Sequence, residues 1–278
     1  MEPTDLDVFV LLSEGAESMA NAGAAAAVAL LMAVGVGLQI AVDSIVLNGY
    51  QFFLSEIRST DGIENRQEVI DQITTVIDQW TASTITLDAS TSALFGLIAL
   101  LFVIGEVGSI IAIRAFAADS PQEFSLNVAT RRLGIATLHG LIIGFLLSIV
   151  VVLGLGVLVI PGIFIFVGTV FVRQAIALDD KGPFEAVSEA WGLAKGNRLL
   201  LAGFVIGLFI FGTILSTLVS TVVPAGEAAS VVGAAIATLV TVYSMAVFTE
   251  MYQRLRRRQQ ATGQDQSSDE WAKDDEWT

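Results

Sequence analysis

The chain has 278 residues, of which 54% are hydrophobic and 15% are charged, yet 28 acidic against 14 basic residues give a net charge of -14. So low a charged fraction, against roughly 25% in soluble domains, excludes an ordinary soluble enzyme and a disordered chain. The lack of cysteine excludes disulfides and CxxC zinc sites, the single histidine excludes a histidine-rich metal cluster, and the acidic balance argues against a nucleic-acid partner.

The charges are clustered and leave long apolar runs, and about 20 apolar residues suffice for one membrane-spanning helix. The run from Leu133 to Val172 would be about 60 Å long as one helix, twice the roughly 30 Å hydrocarbon core. It therefore predicts two spans, with Pro161 and Gly162 as the span-breaking turn. The chain is predicted to be an all-α polytopic membrane protein with six transmembrane helices, near 23–43, 92–115, 135–157, 159–178, 199–223 and 229–252.

The six spans divide the chain into an amphipathic segment at 1–22, a membrane domain at 23–253 and an acidic tail at 254–278 that is predicted to be disordered. No basic residue precedes the first span, so no cleavable signal peptide is expected. Twelve lysines and arginines fall on one side of this topology, and only Arg58 and Arg66 fall on the other. The positive-inside rule then predicts that both termini are cytoplasmic, in a multi-pass protein of the cell membrane.

The predicted external loop, 44–91, contains apolar residues at helical spacing between Val69 and Trp80, which predicts one helix. Two interpretations remain open. The helix is either a cap that lies on the bundle or on the bilayer surface, or a docking or gating element.

Three amphipathic segments, each followed by a helical hairpin, are predicted on the cytoplasmic side as interfacial helices: 5–20, 120–133 and 183–197. Each has a phenylalanine at the equivalent place: Phe9, Phe124 and Phe184. Glu14 and Glu189 also match, each directly after a serine. The layout indicates an old internal repeat, unless such connectors are simply general in polytopic proteins.

The most specific stretch combines a Pro-Gly-Ile sequence at 161–163, an Asp-Asp-Lys-Gly-Pro turn at 179–183 and the sequence Ala-Trp-Gly-Leu-Ala-Lys-Gly-Asn at 190–197. It resembles the membrane domain found beside some bacterial glycerophosphoryl diester phosphodiesterases and in related uncharacterised multi-span proteins. Trp191, Leu193, Lys195 and Gly196 match that family's Ser-Trp-x-Leu-Thr-Lys-Gly pattern, whereas Ala190 and Ala194 replace its Ser and Thr. The resemblance implies a fold and a membrane location, and it carries no activity, because the phosphodiesterase chemistry belongs to a separate soluble barrel.

The segment 183–197 is predicted to be a surface-lying helix with Phe184, Val187, Trp191 and Ala194 on one face. Trp191 suits the membrane interface, Lys195 suits a helix C-terminus, and Gly196 with Asn197 suits a helix stop. Two interpretations remain open for Trp191, Lys195, Gly196 and Asn197: a folding and orientation device, or a contact for a lipid headgroup or a partner protein.

Glu106 is the acidic residue in the middle of a span, where a carboxylate costs roughly 2.5–3.5 kcal/mol on insertion scales. It lies about 20 Å from the predicted outer end of span two, and Arg173 lies at the same depth in span four. We expect a Glu106–Arg173 intramembrane ion pair. That pair could fix helix register or handle protons or ions, and the alternative is a protonated Glu106 that faces lipid or water.

Catalytic motifs and cofactor motifs are absent, and the serine nearest to His139 on its helix, Ser148, faces away from it. We therefore expect a non-enzymatic accessory or scaffolding module without a cofactor, with a small transporter or channel that uses Glu106 as the alternative. The expected partners are the lipid bilayer and, as an open alternative, another membrane protein. Three lysines against 11 arginines on an acidic surface are typical of a halophilic source, such as a halophilic archaeon.

Overall fold

The computed structural model describes residues 7–20, 22–60, 65–118, 125–157 and 159–274, and these residues form α-helices and no strand. In chain order the helices are α1 (Val8–Ala20), α2 (Ala22–Ser59), α3 (Arg66–Ser83), α4 (Thr91–Phe116), α5 (Leu126–Thr130), α6 (Leu133–Val157), α7 (Val159–Thr169), α8 (Val172–Asp179), α9 (Pro183–Ala194), α10 (Arg198–Val222) and α11 (Glu227–Asp274). The predicted all-α class is confirmed.

Six segments are long and apolar enough to cross a membrane, in agreement with the predicted number of spans. They are Ala24–Ser59, Thr91–Phe116, Leu133–Gly154, Pro161–Asp179, Arg198–Val222 and Glu227–Ala261. The fourth segment is interrupted, since α7 ends at Thr169 and α8 begins at Val172. Phe171 lies between them with φ -90° and ψ 2°, outside the helical region.

The helix that contains the first predicted span is longer than that span. The predicted span ends at Asp43, the first charged residue after a long uncharged run, whereas α2 continues to Ser59. With 38 residues, α2 is about 57 Å long. The predicted external loop therefore begins as a continuation of α2. The second helix of that region, α3, lies where the spacing of apolar residues predicts one.

Helix α6 ends at Val157 and α7 begins at Val159, with Pro161 and Gly162 in the first turn of α7. Position 158 lies outside the described residues, and the span-breaking turn stays a prediction. Proline is tolerated in the first turn of a helix because its missing N–H would have no helical acceptor there. Gly162 permits a close approach, since a Cβ on Gly154 of α6 would lie 3.0 Å from the Cα of Gly162.

Helix α11 continues to Asp274, and the disorder that composition predicts from 254 onward stays a prediction. Extending an existing helix carries no nucleation cost, and arginine and glutamine, which dominate 254–260, are good helix formers.

The chain divides into two compact units. Unit 1 comprises Met1–Ala27, Ser109–Ile206 and Val242–Thr278, and unit 2 comprises Val28–Gly108 and Gly207–Thr241. The core of unit 1 contains Phe171, whose ring centroid is 6.3 Å from that of Phe248 and 5.9 Å from that of Tyr252.

In unit 2, α2 packs against α4 at two glycines. A Cβ on Gly105 would lie 3.2 Å from Val34, and one on Gly108 would lie 3.1 Å from Leu31. In the same unit, the extended chain after α3 is held on α2, where Ser44 Oγ accepts a hydrogen bond of 2.8 Å from the Leu87 N–H.

Helices α1, α5 and α9 lie within the three predicted amphipathic segments. Phe9 and Phe184 are 82% and 77% exposed, and Phe124 lies outside the described residues. In α9 the buried residues are Ala186, Ala190, Leu193 and Ala194, of which Ala194 belongs to the predicted face. Small alanines on that side allow close packing, and the bulky Phe184 is turned outward instead.

Candidate functional site

The richest polar cluster of unit 1 is built around the α8–α9 turn, which we define as residues 179–182. Helix α8 stops because Asp180 adopts a left-handed conformation with φ 53° and ψ 29°. Helix α9 then starts with Pro183 in its first turn. The tight reversal places three charged side chains, Asp179, Asp180 and Lys181, next to one another between the two helices.

Arg114, at the end of α4, is buried beside this turn with only 4% of its surface exposed. Its Nε donates to the carbonyl oxygen of Ala177 at 2.8 Å. Its Nη1 donates to the carbonyl oxygens of Ala129 and Arg131 at 2.9 and 2.7 Å. Its Nη2 forms an ion pair with Asp180 Oδ1 at 3.3 Å.

Those carbonyl oxygens belong to the ends of α5 and α8, where the last turn of a helix leaves its acceptors without helical donors. One guanidinium therefore caps two helix C-termini, which also present the negative end of the helix dipole. The planar fork of arginine suits this task because its donors point in several fixed directions. Arg131 contributes a second ion pair to Asp180, 3.0 Å from Oδ2, but its side chain is 56% exposed.

Tyr252 of α11 is fully buried, and its hydroxyl lies between two carboxylates. It donates a hydrogen bond to Asp179, and it lies 3.0 Å from Oε1 of Glu189. Arg256 forms an ion pair with Asp179, and Lys181 forms one with Glu189. The α8–α9 turn, α9 and α11 are thus joined by one network of alternating charges.

The hydrogen bond that the Lys181 ammonium donates to Glu189 raises the pKa of Lys181 above its usual value, and desolvation opposes this rise. Glu185 adds to the rise with an ion pair at 3.3 Å. Lys181 thus stays charged, and its carbonyl oxygen lies 3.3 Å from Nδ1 of His139. His139 has a backbone contact there rather than a nucleophile to activate.

The two glutamates that were matched in the predicted repeat have equivalent neighbours. Glu14 of α1 forms an ion pair with Arg254, and Glu189 of α9 contacts Tyr252, two residues earlier on α11. Both amphipathic helices are therefore tied to the same stretch of α11 by the same residue type. The sequence pattern matches the two glutamates with each other, whereas their shared contact with α11 is visible only in the structure.

The motif at 191–197 ends α9. Lys195 is exposed and follows the last helical residue, Ala194. Gly196 has φ +92°, a region that favours glycine. Asn197 donates its N–H to the carbonyl oxygen of Ala194 at 3.0 Å, and it accepts the first hydrogen bond of α10 from Leu201 at 2.9 Å.

Trp191 packs against α7. A Cβ on Gly168 would come closer than 3.0 Å to the Trp191 ring, so the indole lies directly on the glycine backbone. Phe164 meets the same indole at 5.6 Å between centroids with nearly perpendicular ring planes. The guanidinium of Arg198 lies over both rings, 4.4 Å from the Phe164 centroid and 4.6 Å from the Trp191 centroid. Sequence reasoning did not single out Phe164 or Arg198.

Glu106 is buried in α4, with 5% of its surface exposed, and belongs to unit 2. Arg173 is exposed near the start of α8 and belongs to unit 1. The Glu106–Arg173 pair stays a prediction.

A second buried carboxylate escaped the sequence reasoning. Asp43 is 3% exposed in α2, and its Oδ1 accepts a 2.9 Å hydrogen bond from Gln39. Its Oδ2 is buried without a hydrogen-bond partner among the described residues. In the sequence, Asp43 follows a long uncharged run, and this position predicts the end of a span as readily as it predicts a buried carboxylate. Among the same residues, no group of three or more His, Asp or Glu is placed to hold a metal ion.

Residues 6–255 match one protein-family model, which is described as a domain of unknown function (DUF7847). No curated protein matches the chain, and no solved structure does.

Proposed function

This chain belongs to the DUF7847 family, and we propose that it is a non-enzymatic accessory or scaffolding module that crosses the cell membrane six times. The observation that supports this most is the bonding of Arg114. Its buried guanidinium directs four of its five N–H donors at three backbone carbonyls and Asp180. Such an arrangement holds helices in place and commits most of the donors to the protein itself.

The same reasoning extends to the rest of the cluster. The Tyr252 hydroxyl donates its hydrogen bond to Asp179, and the Lys181 ammonium forms ion pairs with two glutamates. A catalytic acid or base needs a group within hydrogen-bond reach of a substrate, and these groups face one another. The partners of the proposed module are the lipid bilayer and another membrane protein.

In the proposed topology both termini and the α8–α9 turn are cytoplasmic, as the positive-inside rule requires. Helices α1 and α9 lie at the interface, where the exposed Phe9 and Phe184 enter the lipid. The external side then carries α3 as a cap or docking element. The acidic, lysine-poor composition is an adaptation to high salt in a halophilic source.

The second candidate is a small transporter or channel. Two carboxylates, Asp43 and Glu106, are buried in unit 2 on helices that are long and apolar enough to cross a membrane. Intramembrane carboxylates mark ion and proton pathways in many transporters. In the scaffolding proposal, by contrast, Glu106 pairs with Arg173 and fixes helix register.

Ion flux distinguishes the two functions. The full chain is reconstituted into liposomes with an internal pH dye, and proton and K⁺ fluxes are followed under an imposed gradient. The scaffolding proposal predicts the leak rate of protein-free liposomes for both the wild type and Glu106→Gln. A wild-type flux that is abolished by Glu106→Gln would overturn it in favour of transport.

Native membranes supply the complementary test. The chain is purified with mild detergent after brief cross-linking, and the bound proteins and lipids are identified by mass spectrometry. A scaffold predicts a protein partner at fixed stoichiometry that is retained by Glu106→Gln. Recovery of the chain alone, at every detergent concentration that preserves its fold, contradicts a protein-scaffolding role.

A further inference from the structure

Arg198 is held in an aromatic corner at the start of α10. The rings of Phe164 and Trp191 stand at 79° to each other, and the guanidinium carbon lies 4.4 and 4.6 Å from their centroids. Aromatic faces attract a guanidinium through the ring quadrupole. Such contacts supply no hydrogen-bond acceptor to the N–H donors of the guanidinium.

The corner is rigid. Trp191 cannot move toward α7, because it already lies on Gly168, which has no side chain to yield. Arg198 itself is the first residue of a 25-residue helix. The guanidinium is therefore oriented before any ligand binds, which lowers the entropic cost of binding.

Arg198 has no acceptor, unlike four other arginines of unit 1. Arg114 and Arg131 share Asp180, Arg254 pairs with Glu14, and Arg256 pairs with Asp179. Arg198 forms no hydrogen bond or ion pair within the part of the chain that the structure describes, and its Nε is buried without a partner. A buried donor without an acceptor costs free energy, and the Nη atoms, which are not buried, are the donors that an external ligand can reach.

Two further groups beside Arg198 are suited to an anion. Lys195 is exposed and likewise has no partner among the described residues. The first helical hydrogen bond of α10 is donated by Leu201, so the amides before it have no acceptor in the helix. A lysine, a guanidinium and the positive end of a helix therefore lie within the four residues 195–198, around the Gly196–Asn197 turn.

We propose that Arg198 and Lys195 bind the phosphate group of a membrane phospholipid headgroup. Two in-plane N–H donors on the Nη atoms of the guanidinium match two phosphate oxygens, and the ammonium adds a point charge. The surroundings favour a lipid over free phosphate, since the adjacent Leu199 is 89% exposed and Phe164 is 45% exposed. Both offer an apolar surface to acyl chains. The inference requires only a membrane location and is independent of the scaffolding role.

The test measures binding to the purified full chain in detergent by isothermal titration. The probes are dihexanoyl phosphatidylglycerol, dihexanoyl phosphatidylcholine and inorganic phosphate. We expect saturable binding of the phosphatidylglycerol that Arg198→Gln weakens about ten-fold or more, as loss of a charge-assisted hydrogen bond implies. Arg198→Lys retains the charge but loses the planar fork, so it should also weaken binding.

Arg257→Gln is the matched control. Arg257 is an exposed arginine of unit 1 without an aromatic or acidic partner among the described residues, so its removal should leave the affinity unchanged. Equal losses in Arg198→Gln and Arg257→Gln, or no saturable binding of any probe, would overturn the site. Inorganic phosphate that binds as tightly as the lipid would overturn the lipid source while retaining the phosphate site.

A folding defect is distinguishable from lost binding. Each variant is first compared with the wild type in melting temperature and gel-filtration profile. If Arg198→Gln does not fold, Lys195→Gln decides the matter, because an exposed lysine without a partner can be replaced without structural cost. Lys195→Gln should weaken phosphatidylglycerol binding several-fold, and unchanged affinity would contradict the proposal.

Discussion

Replacing Arg114 with methionine tests the structural role of the α8–α9 cluster. Methionine fills a similar volume but removes every donor from the ends of α5 and α8. The change orphans the carbonyl oxygens of Ala129, Arg131 and Ala177, and it removes one of the two ion-pair partners of Asp180.

The magnitude follows from burial. Breaking a buried ion pair by removing one partner costs about 3–5 kcal/mol, and each buried acceptor left without a donor costs about 1–3 kcal/mol. These terms overlap, and water will reach some carbonyls, so we expect a loss of about 3–5 kcal/mol. For a chain of this size that corresponds to a fall in melting temperature of about 10 °C.

The assay is thermal unfolding in detergent, followed by gel filtration of heated samples. Arg131→Met is the matched control, because Arg131 pairs with the same Asp180 but its side chain is 56% exposed. An exposed pair contributes at most about 1 kcal/mol, so this variant should melt close to the wild type. Arg114→Lys keeps the charge without the fork and should resemble Arg114→Met. Equal, small effects of Arg114→Met and Arg131→Met would refute the capping role.

Two further predictions concern the packing of α9 against α7 and the turn that precedes α9. Gly168→Ala should destabilise the fold by about 1–3 kcal/mol through overpacking on Trp191, and it should shift the tryptophan emission. Gly192→Ala is the control, because nothing lies within 4 Å of an added Cβ there, and it should be neutral or stabilising. Equal melting temperatures of the two variants would contradict this packing. Lys181 has a raised pKa in the folded state, so its contribution is fully present below the unfolded value of 10.5 and is lost as the pH rises through the folded pKa. The difference in melting temperature between the wild type and Lys181→Met should therefore shrink above that pH, and a constant difference would show that Glu189 does not stabilise the ammonium.

The sequence predicts the large features of this fold because they depend on local hydrophobicity. Five apolar runs, one of them long enough for two spans, give six helical segments that are long enough to cross a membrane, since each segment must satisfy its own backbone in lipid. The ends of these helices are less predictable. Asp43 looks like a boundary, but one buried aspartate does not stop α2, and proline at the third position of α7 does not stop that helix either.

The candidate sites depend on long-range contacts, which no local pattern encodes. Arg114 contributes to the charge bias of its loop, but its acceptors lie up to 66 residues away. The aromatic contacts of Arg198 likewise depend on α7, which places Phe164 beside Trp191. The partial exception is the repeat, where matching Glu14 with Glu189 anticipated two side chains that both contact α11.

The account depends most on six crossings that place the α8–α9 turn and the end of α11 on the cytoplasmic side and α3 outside. The chain has no cysteine, so single cysteines can be introduced without background. Three exposed positions are suitable: Asp71 in α3, Glu185 in α9 and Arg257 in α11. In intact right-side-out vesicles, a membrane-impermeant maleimide should label Asp71→Cys alone, and the other two only after permeabilisation. Labelling of Arg257→Cys or Glu185→Cys in intact vesicles would contradict the account.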